Sequence, residues 1–290
     1  MLCLLALAFP VLFEHLPAFA DEPDTPTRPT LFANNDGSYV GGRGLITNAG
    51  PTGMFLNPTS GTMPKGSVTA QFFSTVIKPL PNKDQFAWYN ALASYGVKDW
   101  LEVGALGQLV DRSNRVINAG IAENDNQSVM AGGAFFRLRL VKDQNLWPEV
   151  SFGGITLEGN EILRRRTLFV AVSKRFVINE EGLVKAFRVH LGGRHFWQRE
   201  GTALSFRTWS FLAQRGDEDT VGYAGGEFEL PKNIYFVSEV QTKETGDRYI
   251  PWSAGIQVRH PSGFGLSLAL LQLGFQSSLT AYVGIGINFP

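Results

Sequence analysis

Apolar and polar residues alternate along most of this chain. The stretch Ser278 to Phe289 shows the pattern most cleanly. Leu279, Ala281, Val283, Ile285, Ile287 and Phe289 share one parity, and Thr280, Tyr282, Gly284, Gly286 and Asn288 the other. A β-strand sends successive side chains to opposite faces, so one face here is apolar and the other small and polar. The same period recurs at 66–76, 85–96, 99–110, 127–140, 147–157, 165–176, 184–197, 220–230, 233–243, 250–259, 262–271 and 278–289. Val103, Leu138, Val170, Leu191 and Ile256 fall on the apolar parity of their runs, as Val283 does. The pattern predicts an all-β chain of about twelve antiparallel strands, each of a length that suits a tilted crossing of hydrocarbon.

The connections carry a second signal. Short ones, at Val97-Lys98, Val141 to Leu146, Asn179 to Leu183, Pro231-Lys232 and Pro261, alternate with mostly longer ones. The longer set is Lys78 to Asp84, Asp111 to Asn126, Gly159 to Arg164, Arg199 to Thr220, Glu244 to Tyr249 and Leu273 to Ser277. Short periplasmic turns and longer outer loops alternate in this way in outer-membrane barrels. That parity gives an even number of strands and sends the last one down to the periplasm. It also assigns 203–213, which has strand-like alternation of its own, to a long outer loop. Tyr95, Trp100, Trp147, Phe264 and Phe289 fall near the expected periplasmic interface and Trp197, Tyr249 and Trp252 near the outer one, as in an aromatic girdle.

The N-terminus reads as a secretory signal. Leu2 to Phe13 is an apolar run broken by Pro10, and Pro17-Ala18-Phe19-Ala20 supplies an A-x-A site. Residues 1–20 are therefore expected to be cleaved before Asp21. The run is too short to span a bilayer as a helix. No Lys or Arg precedes it, which points to a start upstream of Met1. The single cysteine, Cys3, leaves with the signal, so the mature chain carries no thiol, disulfide or thiolate metal site. No later run has the length of a spanning helix, and without one the backbone closes its hydrogen bonds in lipid only as a barrel. Residues 21–64 are expected to form a flexible leader and plug segment, because Gly, Pro, Thr and Asn recur there too often for regular structure. Residues 65–290 are the expected outer-membrane β-barrel.

Lys+Arg and Asp+Glu are equal at 26 each, which leaves no net field to attract nucleic acid. Inward parity nevertheless collects Glu102, Arg137, Arg139, Glu149, Arg175, Arg188, Arg194, Glu227, Glu229, Glu239 and Arg259. A sandwich core would not hold so many charges, because unpaired buried charge costs several kcal/mol. A barrel lumen holds them in either of two roles: ion pairs that brace the wall, or a path for a polar or anionic ligand. The histidines are His15, His190, His195 and His260, and no pair has metal-ligand spacing. No cofactor is expected. His260-Pro261-Ser262-Gly263 approaches the His-x-Ser-Asn-Gly signature of barrel phospholipases but lacks its Asn, and Pro-Ser-Gly reads as a turn. No P-loop, G-x-S-x-G or H-E-x-x-H is present, and no enzyme is expected.

Gly44-Leu45-Ile46, Pro58-Thr59-Ser60 and Pro64-Lys65-Gly66, followed by the aromatic hairpin that leads into Leu101-Glu102-Val103-Gly104, resemble the entrance motif of the YjbH-like outer-membrane barrel family. The chain departs from that motif by an extra Gly50-Pro51-Thr52-Gly53 and by ending Phe-Pro. The resemblance implies a barrel that assists exopolysaccharide assembly or export, with polysaccharide as its partner. A diffusion porin and a barrel-type lipid hydrolase are the alternatives. In each case the expected partners are outer-membrane lipid and the barrel-assembly machinery of a Gram-negative envelope, with no nucleic acid.

Overall fold

The computed structural model describes residues 53–77, 86–111, 129–144, 147–159, 163–179, 181–200, 218–245, 247–260, 262–274 and 279–289. The chain divides into two compact units, Met1–Ala33 and Asn34–Pro290, and every described residue belongs to the second. The signal, the leader up to residue 52 and the run 203–213 lie outside the described residues.

Twelve strands follow one another along the chain: β1 (Val68–Ile77), β2 (Phe86–Lys98), β3 (Leu101–Asp111), β4 (Val129–Val141), β5 (Glu149–Gly159), β6 (Leu163–Val177), β7 (Ala186–Glu200), β8 (Glu218–Leu230), β9 (Ile234–Gln241), β10 (Trp252–Arg259), β11 (Phe264–Gln272) and β12 (Thr280–Phe289). Each pairs antiparallel with its neighbours in sequence, and β1 pairs with β12 from Val68↔Phe289 to Val76↔Ala281. The sheet therefore closes on itself and has no free edge, which is what hydrocarbon requires of strands. The expected strand ends agree with the observed ones to within a few residues. The expected long connection after β5 is instead brief, since β6 begins at Leu163.

The expected parity holds throughout. Val103, Phe136, Val170, Leu191, Ile256, Leu268, Val283 and Ile285 are exposed on the outer wall, while Phe73, Phe169, Val237 and Tyr282 are buried inside. Tyr95, Trp100, Trp147, Phe264 and Phe289 cluster toward the rim that holds both ends of the barrel, and Trp197, Tyr249 and Trp252 toward the opposite rim; all are exposed. The short hairpin from β8 to β9 turns through Lys232 and Asn233, both left-handed at φ 60° and 59°. Two left-handed central residues match the right-handed twist of the flanking strands.

Candidate functional site

The interior holds paired charges, uncharged polar side chains such as Thr69, Gln71, Asn90 and Ser94, and an apolar cluster. Glu102 on β3 and Arg137 on β4, adjacent across the ladder, form a fully buried ion pair. Arg139 lies 3.5 Å from Glu149. Arg175 reaches Glu229 at 2.9 Å. Arg259 grips both oxygens of Glu227, at 2.8 and 3.1 Å, and His190 Nε2 lies 3.5 Å from the same carboxylate. Arg194 pairs at 3.0 Å with Glu244, a loop residue that the strand pattern did not single out. Arg165, which it also did not single out, lies 3.9 Å from Glu244 and stacks on the Phe196 ring. Arg188 stands in register between Arg175 and Glu227. Glu239 is the exception: no cation pairs with it among the described residues.

What holds Glu239 is a segment inside the barrel. Its carboxylate accepts the backbone N–H groups of Phe55, Leu56 and Asn57 at 2.8, 2.6 and 3.0 Å. Asn57 Nδ2 donates to it at 2.9 Å and Ser253 Oγ at 2.7 Å. The turn that aims these donors closes through Met54 N–H to Asn57 O and a bridge between Gly53 and Pro58. From there the chain continues along the wall groups. The Tyr223 hydroxyl donates to Pro58 O at 2.9 Å, Arg137 Nη1 to Thr59 O at 2.9 Å, and Ser60 Oγ to Glu149 at 2.8 Å. Met63 N–H donates to Glu102 at 3.1 Å and Lys65 N–H to Asp99 at 2.8 Å. Glu102 opens β3 and Glu239 sits on β9, half-way round the closed order. Residues 53–64 therefore cross the bore from one wall to the other, and Met54, Phe55 and Asn57 are fully buried.

The apolar part of the interior was not foreseen. Phe73, Leu92, Leu106, Phe135, Ile155 and Phe169 share the inward parity with the charges and are buried with Met54, Phe55 and Leu56 of the crossing segment. Three of the inward rings follow a rule of register. Phe135 stands directly opposite Gly104, Phe169 opposite Gly153 and Tyr223 opposite Gly192. In each pair the ring lies over the glycine, where a Cβ would come within 2.3 Å or less of a ring atom. The rings thus lie along the wall and leave the centre of the bore to residues 53–64.

Neither Ser262 nor Ser173, each within 2.8 Å of a histidine nitrogen, is placed for hydrolysis. His260 Nδ1 accepts the Ser262 N–H at 3.2 Å and lies 2.8 Å from Ser262 Oγ, so the ring nitrogen serves a local turn. Gly263 completes that turn at φ +94°, packed against Asn288 O. In the bore, Ser173 Oγ lies 2.7 Å from His190 Nδ1, but both are buried and the Ser60 N–H points at the serine oxygen, where a substrate carbonyl would have to sit.

No protein-family model matches the chain, and no curated protein matches it; the likeness to the YjbH-like family has no counterpart in either comparison. Solved structures do match. The KdgM porin aligns with a TM-score of 0.52 at 9% identity, over 77% of this chain and 99% of that one. The COG4313 outer membrane channel from Pseudomonas putida F1 aligns at 0.48 and 11% identity, over 79% and 98%. The translocator domain of the autotransporter NalP from Neisseria meningitidis aligns at 0.41 and 12%, over 77% and 88%. At such identities the likeness to KdgM is one of fold: this chain folds as an antiparallel outer-membrane β-barrel.

Proposed function

We propose that this protein is an outer-membrane channel for small solutes, closed in the described state by residues 53–64. The observation that carries this reading is how the crossing segment is held. Between residues 54 and 63 its backbone-to-backbone bonds stay within its own turn, from Met54 to Asn57, and its links to the wall run through side chains such as Glu239, Glu149, Glu102, Arg137 and Tyr223; only its last residue, Pro64, is tied by its backbone to the start of the wall, accepting the Ser67 N–H. A strand of the wall could not leave without opening the barrel. This segment can leave while every ladder bond stays intact. The ion pairs behind it then brace an empty bore. The belt of apolar side chains on the outer wall fits hydrocarbon, so the barrel sits in the outer membrane and reaches it by a signal cleaved near Ala20.

Planar bilayers test the closed state. The mature full-length protein is expected to give little or no steady current, and the protein lacking residues 21–64 a current several-fold larger. Gel mobility that shifts on heating confirms that the shortened chain has assembled. Large stable openings in the full-length protein would count against the closure, and silence in a properly assembled shortened barrel would count against the channel. The exopolysaccharide role implied by the family resemblance makes a different demand: deleting the gene alters the surface polymer. A lipid hydrolase would lose its phospholipase activity in Ser262→Ala; we expect no such activity in either form.

A further inference from the structure

Among the described residues, every other inward glutamate of the bore has an arginine within ion-pair distance: Glu102 has Arg137, Glu149 has Arg139, Glu227 has Arg259, Glu229 has Arg175 and Glu244 has Arg194. Glu239 is equally buried, at 4% exposure, and holds its charge on hydrogen bonds alone. All but the one from Ser253 come from residues 55–57. Buried carboxylates persist only where donors or counter-ions replace water. If the segment moves aside, as the channel reading requires, Glu239 keeps a single hydroxyl donor. Arg194, which bonds Gln241 two residues along β9 at 3.1 Å, is matched by Glu244.

The group that now fills the position indicates what else fits. Phe55 places an N–H donor on Glu239 and its ring edge-on to Tyr282, 5.5 Å between centroids. Phe73 also stacks on Tyr282, at 5.1 Å between centroids. An acceptor of full negative charge thus stands beside an aromatic wall. We propose that Glu239 with Tyr282 is the seat of an organic cation, an ammonium group carried on an apolar or aromatic body, and that residues 55–57 occupy this seat in the closed barrel. The proposal rests on the channel reading and names its solute class. It departs from the path for a polar or anionic ligand that the inward charges also allowed, because Arg137, Arg139, Arg175, Arg194 and Arg259 are each engaged by a glutamate. Tyr282 adds attraction for the cation, since an aromatic face holds positive charge and its edge packs against a second ring.

The test uses the full chain in detergent and three isosteric probes: phenethylammonium, phenethyl alcohol and phenylacetate. Leu56→Pro removes the shortest donor to Glu239, and Asn57→Ala, a milder change, removes the side-chain donor. Calorimetric titration should show phenethylammonium binding at least about tenfold tighter in Leu56→Pro than in the wild type, because a charge-assisted hydrogen bond lost from the competing segment is worth that factor or more. The alcohol and phenylacetate should gain nothing comparable, and adding Glu239→Gln should abolish the gain. The proposal is overturned if the neutral or anionic probe gains as much, if Glu239→Gln leaves amine binding intact, or if assembled Leu56→Pro and Asn57→Ala barrels both bind the amine no better than the wild type. Conductance separates the two ideas. An assembled barrel lacking residues 21–64 that stays silent, while amine binding tightens in Leu56→Pro, sinks the channel and keeps the seat; a shortened barrel that conducts, without amine preference in Leu56→Pro, does the reverse.

Discussion

Arg137→Met should destabilise the barrel by about 3–5 kcal/mol, the usual consequence of leaving one member of a buried ion pair without its partner. Both side chains of the Glu102–Arg137 pair have zero exposure, so no water replaces the lost guanidinium. The same substitution removes the donor to Thr59 O and slackens the crossing segment at its middle. Two readouts should therefore move together: the urea midpoint for folding into vesicles, and the current through the full-length protein. Glu102→Gln/Arg137→Met should recover most of the stability, because the stranded charge is gone, but not the Thr59 contact. If the double variant is as unstable as Arg137→Met alone, the pair is not what holds that part of the wall. If Arg137→Met folds normally yet conducts, the arginine serves the segment and not the wall.

Strand order, register and outer face were legible in the sequence because two independent signals agree on them. Period-two alternation names the face, and turn residues at Lys98, Pro231 and Pro261 set where each strand reverses. A slip of one residue would turn a whole set such as Leu279 to Phe289 inward, so the register is strongly specified. The bore was less legible. Reading inward parity as polar picked out Arg137 and Arg139 but passed over Phe135 between Gly133 and Arg137. The rule fails there because this lumen is filled by protein, and a filled interior takes apolar side chains as any core does. The signal that was available is the cross-strand pairing of aromatic and glycine, Gly104 with Phe135 and Gly153 with Phe169, but it becomes visible only once register is known. Pairing partners were likewise out of reach. Nothing in the spacing says that Glu239 lacks an arginine, since Arg194 is held by Glu244 in a connection the alternation does not describe. Only the crossing of residues 53–64 shows what took the arginine's place.

Val283→Arg tests the membrane itself, and the comparison that makes it decisive is Phe289→Arg on the same strand and face. The two positions are almost equally exposed, at 48% and 54%. In water they would therefore tolerate arginine alike, as exposed surface positions generally do. In a bilayer they differ, because Val283 pairs with Leu268 in the middle of β11 while Phe289 ends the barrel at its rim. An arginine at the midplane of a barrel's lipid face costs about 2–4 kcal/mol, falling to about 0–1 kcal/mol near the interface. The inward neighbour Gly284 is no substitute as a control, because its Cβ would meet Tyr282 and Phe73 at 3.2–3.3 Å and so disturb the bore. Folding titrations into vesicles should thus rank wild type and Phe289→Arg close together and Val283→Arg well below them. The gap should also shrink in thin bilayers, where snorkelling brings position 283 nearer to headgroups. Equal losses at the two positions, or a gap that ignores bilayer thickness, would mean that the apolar belt faces something other than lipid.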